Sequence, residues 1–137
     1  MRPMRIIGHG IDVVDIARIA AMLRDHGPQF IARCFTDAER AYCESVGGAG
    51  RRAERYAVRF AAKEATFKAL GTGWRSGISW RDAGIVHEPS GQPRLVVAGR
   101  CAEIARERGI AQWLVSLSHT PAAAMASVIA WGDGGAA

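Results

Sequence analysis

One stretch restricts the possible folds of this 137-residue chain more than any other: Arg59-Phe60-Ala61-Ala62-Lys63-Glu64-Ala65-Thr66-Phe67-Lys68-Ala69-Leu70-Gly71-Thr72-Gly73. At about 100° per residue, Tyr56, Phe60, Phe67 and Leu70 fall into one apolar stripe, and Ala57, Ala61 and Ala65 into a neighbouring strip of small side chains. The spacing predicts an amphipathic helix that begins near Ala53 and is stopped by Gly71. The alanine strip leaves room for another backbone to come close. Glu64 and Lys68 lie on that side, one turn apart. They can form an ordinary surface ion pair, worth roughly a few tenths of a kcal/mol, or present an acid and a base to a ligand.

Ahead of this helix, Arg5 to Val14 reads as a strand, with Ile6, Ile7, Ile11, Val13 and Val14 interrupted by Gly8 and Gly10. Glycines inside a strand mark a bulge or the approach of another backbone. Asp12 sits among apolar neighbours and needs a partner, a hydrogen bond or a metal. Asp15 is placed to cap a helix running to about Asp25, with Ile16, Ile19, Ala20 and Leu23 on its core side. On another face of that helix Arg18 and Met22 stack one turn apart, as a solvated face or as a docking point for an acidic amphipathic partner helix. His26-Gly27-Pro28 breaks the pattern before a short helix to Cys34, and Thr36-Asp37-Ala38-Glu39 is a capping box that opens another helix ending near Ser45. Gly47, Gly48 and Gly50 read as a flexible loop.

Beyond Gly73 the pattern turns to strands: Ile78 to Val86, a Glu88-Pro89-Ser90-Gly91 turn, and Pro93 to Val97. A helix over Gly99 to Gly109 follows. Gln112 to His119 alternates, placing Trp113, Val115, Leu117 and His119 on one face and Ser116 and Ser118 on the other. Ala122 to Trp131 is the last strand, and residues 1–4 and 132–137 read as flexible ends. The expected product is a single α+β domain over residues 1–137, with an antiparallel sheet packed against one long helix.

A composition of 49% hydrophobic and 23% charged residues is that of a soluble globular chain. There is no apolar run of about 20 residues and no secretory pattern at the N-terminus, so a cytoplasmic protein without a membrane partner is expected. The net charge of +5 suits acidic partners, but the arginines are scattered and not interleaved with aromatics, which argues against a nucleic-acid-binding module. Cys34, Cys43 and Cys101 show no Cys-x-x-Cys spacing, so neither a disulfide framework nor a zinc site is expected.

A strand-end carboxylate and a helix carboxylate, both beside small residues, can share a hard cation such as Mg²⁺, and Asp12 and Glu64 are the candidate pair. Lys68 would face the same phosphates and neutralise charge as a bond to phosphorus breaks. The Gly71-Thr72-Gly73 turn either brings N–H groups to a phosphate or merely stops the helix.

Gly10-Ile11-Asp12, the Arg59–Gly73 block and Ser116-Leu117-Ser118-His119-Thr120 occur in this order, and with them the chain resembles the holo-acyl-carrier-protein synthases of the 4′-phosphopantetheinyl transferase superfamily from about Arg5 to Trp131. The resemblance implies the family fold and transfer of the 4′-phosphopantetheine arm of coenzyme A to a serine of apo-acyl carrier protein, releasing adenosine 3′,5′-bisphosphate, in support of fatty acid or polyketide synthesis. It implies that Asp12 and Glu64 hold Mg²⁺ at the coenzyme A pyrophosphate, with Lys68 completing the catalytic set. Either a metal-bound water or one of the acids would take the serine proton.

Arg59, Lys63, Gly71, Thr72, Gly73, Ser118, His119 and Thr120 are implied as coenzyme A contacts, Arg59 and His119 at its 3′-phosphate and adenine end. Arg18 and Met22 are implied as carrier contacts. A homotrimer with sites between subunits is implied as well, which would let opposite faces of the long helix serve different sites. Three positions depart from some members: Asp25 and Pro28 stand where others carry arginines, and Phe67 where others carry a serine. A noncatalytic coenzyme A or nucleotide-binding protein is the competing expectation.

Overall fold

The computed structural model describes residues 2–135, ordered as β1 (Arg5–Asp15), α1 (Ile16–Cys34), α2 (Asp37–Glu44), α3 (Ala49–Leu70), β2 (Ala83–His87), β3 (Pro93–Val97), α4 (Gly99–Glu107), β4 (Ile110–His119) and β5 (Ala123–Gly132). The strands form two antiparallel sheets, a three-stranded one in the order β1-β5-β4 and a β2-β3 hairpin. The expected α+β class holds, and the single expected sheet is corrected to two. Between Ile78 and Val86 the expected strand also starts late, where Ser79 and Asp82 exchange a reciprocal pair of caps around one 3-10 turn at Trp80–Asp82. That turn delays the strand to Ala83.

Helix α3 lies across β1 and β5, and its two strips behave as their spacing predicts. Tyr56, Phe60, Phe67 and Leu70 are buried, and Phe30, Phe35, Tyr56, Phe60 and Trp80 form a linked aromatic cluster with centroids 4.7–5.9 Å apart between successive rings. Ala57, Ala61 and Ala65 are fully enclosed. On the opposing strand a Cβ at Gly10 would overlap the Ala65 carbonyl oxygen, and one at Gly8 the Ala69 carbonyl oxygen. The strand glycines and the helix alanines are two halves of one backbone-to-backbone seam. A bulge in β1 between Ile6 and Gly8 adjusts the register as the strand passes the helix.

The helix begins at Ala49, four residues before the expected start, and includes Gly50. Arg52 supplies the reason: it donates to both oxygens of Glu44, at 2.7 and 2.9 Å, and so ties the first turn to α2. At the other end Gly71 takes the left-handed φ of 80°, and the Arg108 guanidinium donates to the Leu70 carbonyl, so a cation covers the helix's last acceptors.

Helix α1 is continuous in name only, since His26 is non-helical (φ −139°, ψ 28°) just ahead of Pro28, where the expected break falls. Asp15 occupies the N-cap position without a side-chain cap bond, and the Ile16 amide donates to the Ala122 carbonyl at 3.0 Å. Around α2 the capping box forms as predicted, with Thr36 and Glu39 reciprocally bonded.

The expected flexible C-terminal end is corrected in part. Gly132 pairs with Arg5 and Ile110, Arg5 donates to the Asp133 carbonyl, and the Gly134 amide donates to the Gly109 carbonyl; residues 136 and 137, like Met1, lie outside the described residues. The three cysteines are free and buried, and burial pushes the Cys43 and Cys101 thiols up to about 12.

Gly10→Ala should therefore cost about 3 kcal/mol or more, because a backbone seam cannot yield as a side chain can. Gly47→Ala, where nothing lies within 4 Å, should stay within about 0.5 kcal/mol. Urea unfolding midpoints of the two variants check this; a Gly10→Ala midpoint like that of Gly47→Ala would refute the seam.

Candidate active site

The seam between β1 and α3 converges three of the expected residues. Asp12 lies one pleat beyond Gly10 on the same, inner face of the strand, and Glu64 and Lys68 flank Ala65 on the helix. The Lys68 ammonium donates to Asp12 Oδ1 at 2.8 Å and to the Ile11 carbonyl at 3.0 Å. The Asp12 side chain is only 13% exposed and that of Lys68 is 52% exposed, so the site is open to solvent from the lysine side. Burial, and next the adjacent Asp12 charge, hold the Glu64 carboxyl above its ordinary value, against the pull of Arg18 and Lys68. Two carboxylates are thus pressed together with one ammonium beside them.

This donor set fits Mg²⁺. It offers hard oxygens, and among the described residues no third histidine, cysteine or acid joins them as a potential ligand, which leaves positions for water and phosphate as that ion prefers. Crowding of like charge is what a divalent cation relieves.

A groove of about 490 Å³ opens beside this centre, lined by Arg18, Ile19 and Met22 of α1 and by Phe60, Trp74 and Trp80. Arg18 and Met22, expected at a carrier protein, both line this groove, and Arg18 links it to the carboxylate centre because its charge reaches Glu64. Phe67 packs on Trp80 at 5.5 Å and belongs to the core, and Asp25 is bonded to its neighbour Arg24 on the surface.

A second pocket of about 260 Å³ lies on the other flank of α3, lined by Tyr42, Arg51, Glu54, Arg55, Val58, Arg59, His87, Leu117 and His119. Arg59 and Glu64 differ by five residues, about 140° around the helix, which puts the two sites on different faces. The Arg55 and Arg59 guanidinium groups stand 4.3 and 4.2 Å from the Tyr42 ring centre, and His87 stacks on the same ring at 4.6 Å. Arg59 donates to the Arg55 carbonyl, yet its Nε is buried without a partner among the described residues. His119 Nδ1 is 4.0 Å from Glu54. The arrangement is a cationic cavity with a donor left over, suited to an anion.

Not every expected contact is brought to these sites. Lys63 is corrected to a structural role: it is 1% exposed and donates to Glu39 and to the Ala83 carbonyl, both at 2.5 Å. Burial lowers its proton affinity and Glu39 opposes that. Glu39 also accepts from the Thr36 and Ile85 amides, so the pair joins α2, α3 and β2.

At Gly71 and Gly73 the amides donate to the Lys68 and Phe67 carbonyls, so the turn is a helix stop and its glycine N–H groups are spent; the Thr72 hydroxyl donates to the Gly73 carbonyl. Thr120 accepts from the Ala122 and Ala123 amides and shapes the β4–β5 turn. Ser118 is exposed on the face of β4 opposite to His119.

Tyr42, Arg51 and His87 were not anticipated. A stripe of Arg51, Arg55 and Arg59 at four-residue spacing was readable, but nothing local marks His87 as its neighbour.

Paired acids with a lysine, and a separate cationic cavity, are chemistry suited to an anionic, phosphorylated ligand. The family model described as "4'-phosphopantetheinyl transferase superfamily" matches residues 8–127, and the chain belongs to that family. A holo-[acyl-carrier-protein] synthase of Methylobacterium radiotolerans is 50% identical over 128 residues, covering 90% of this chain and 92% of that one. One from Koribacter versatilis is 45% identical over 124 residues, 90% of this chain and 97% of that one. The crystal structure of the holo-(acyl-carrier-protein) synthase of Bacillus anthracis in complex with CoA (3',5'-ADP) superposes with a TM-score of 0.76 at 33% identity, covering 95% of this chain and 99% of that one.

Removing Lys63 while Glu39 stays buried should be among the costliest side-chain changes. Lys63→Ala is expected to lose about 3–5 kcal/mol in urea unfolding. An unchanged midpoint would show that the pair does not hold α2 to α3.

Proposed function

We propose that this chain transfers the 4′-phosphopantetheine group of coenzyme A to a serine hydroxyl of an apo-acyl carrier protein, releasing adenosine 3′,5′-bisphosphate. The observation that carries the reading is the convergence of Asp12, Glu64 and Lys68 at the β1–α3 seam, open to solvent beside a groove that contains Arg18 and Met22. Asp12 and Glu64 would hold Mg²⁺, which supplies compensation for the negative charge of the bridging phosphates. Lys68 holds a half-exposed ammonium beside the same acids, placed to neutralise charge on the leaving phosphate. Arg18, whose charge already reaches Glu64, and Met22 offer the carrier a cation next to an apolar contact.

The cavity formed by Arg51, Arg55, Arg59, His87 and His119 is assigned to the 3′-phosphate and adenine end of coenzyme A. Its unpartnered Arg59 Nε supports that reading. Because the two sites occupy different faces of α3, one active site is built from two copies of the chain in a homotrimer. The outer face of the three-stranded sheet supports this, since it aligns Ile11, Val13, Leu114 and Met125, with exposures of 51, 58, 54 and 39%. No helix of the described residues is long and apolar enough to cross a membrane, and a cytoplasmic location is part of the same proposal.

Incubation with coenzyme A, Mg²⁺ and an apo-acyl carrier protein should add the mass of one phosphopantetheine arm to the carrier, and a chelator should abolish the gain. Glu64→Gln and Lys68→Ala should each lower turnover by about 100-fold or more with unchanged unfolding midpoints. Near-normal rates in both would sink the assigned roles. Light scattering should give three times the 14.7 kDa chain mass, and Ile11→Arg on the outer sheet face should shift it to one chain mass. A fully active monomer would overturn the shared-site reading.

A further inference from the structure

His87 closes β2 within the cationic cavity, and its surroundings are one-sided in charge. From α2, Tyr42 meets its ring at 4.6 Å with the planes 22° apart. From α3 come Arg51, Arg55 and Arg59, with two of these guanidinium groups on the same tyrosine ring, and Glu54, whose carboxylate lies 4.0 Å from His119 of β4. Glu88, next along the chain, is engaged by Arg94 at 2.7 Å. The pocket's single lining carboxylate thus attends the other histidine, while His87 faces cations.

Burial first, then the Arg59 and Arg55 charges, lower the proton affinity of His87 below the ordinary imidazole value. A phosphate monoester entering beside the unpartnered Arg59 Nε offsets the arginine charges and favours the imidazolium, which can then donate to it.

We infer that His87 is a specificity residue for the phosphate monoester end of the substrate, taking up a proton when that group binds, so that preference for 3′-phosphorylated coenzyme A over its dephospho form strengthens as pH falls. The inference rests on the assignment of this cavity to the 3′-phosphate. Linkage sets the sign: if the complex holds a proton that the free pocket lacks, affinity rises as pH falls between the two states' pKa values. The phosphate contributes oppositely, since an arginine-rich site favours its dianion and releases a proton, but only near its own second ionisation at about 6. Above pH 7 the histidine term dominates, and the direction of proton movement distinguishes an imidazole from the phosphate.

Titration calorimetry with adenosine 3′,5′-bisphosphate at pH 7.2, in buffers of different ionisation enthalpy, counts the protons moved. Wild type is expected to take up a substantial fraction of one proton; His87→Gln should abolish the uptake and still bind, and His119→Gln should retain it. In parallel, the ratio of kcat/KM for coenzyme A to that for 3′-dephospho-coenzyme A should rise about three- to tenfold in wild type from pH 8.5 to 7.0, and stay flat in His87→Gln. Zero uptake in wild type, or uptake unchanged in His87→Gln, overturns the inference. A large but pH-independent preference overturns the inference alone and leaves the 3′-phosphate assignment standing. Equal use of both substrates at every pH overturns that assignment and the inference with it. If His87→Gln fails to fold, the His119→Gln arm decides: uptake retained there leaves His87 as the other imidazole lining the pocket, and uptake lost there overturns the inference.

Discussion

The backbone seam between β1 and α3 is the constraint on which the rest depends. Where Gly8 and Gly10 lie against the Ala69 and Ala65 carbonyls, no side chain separates strand from helix, so the residues flanking the contact are brought nearer than packing through intervening side chains allows. Asp12, Glu64 and Lys68 are those residues. Burial at the seam, and next the Asp12 charge, raises the proton affinity of Glu64, and Asp12 with the Ile11 carbonyl orients Lys68.

The long helix is also a partition. Its seam face carries the carboxylates, another face carries Arg55 and Arg59, and between them Lys63 is sunk into the core with Glu39. A buried ion pair is weak evidence for stability in itself, because desolvation offsets much of the attraction. Here its partners specify geometry: Glu39 binds amides from α2 and β2 at once, which holds Tyr42 and His87 stacked on one another in the cationic cavity. The second site is thereby positioned by polar contacts in the core, and the first by the absence of side chains at the seam.

Much of this was legible locally. The capping box at Thr36, the break before Pro28, the hairpin strand Pro93–Val97 and the alternation in β4 depend on neighbours within a few residues, and each forms where its residues predict. The departures also have local explanations that composition conceals. Gly50 enters α3 because Arg52 reaches Glu44, and the strand expected from Ile78 is shortened by the Ser79–Asp82 caps.

The sequence by itself determined the helix, the strand glycines and the residue types of the acid–lysine set, since periodicity and short-range chemistry are encoded at single positions and their near neighbours. Only the tertiary structure decided which polar groups are free to act. Lys63 and the Gly71 and Gly73 amides carry suitable chemistry, yet they are consumed by Glu39, Ala83 and the helix's own carbonyls. His87 carries no local mark and is brought to Tyr42, 45 positions earlier in the chain, by the docking of β2 on α2. The physical reason is that a hydrogen-bonding group can be spent only once. Who spends it depends on partners far away in sequence, which the folded chain alone brings together.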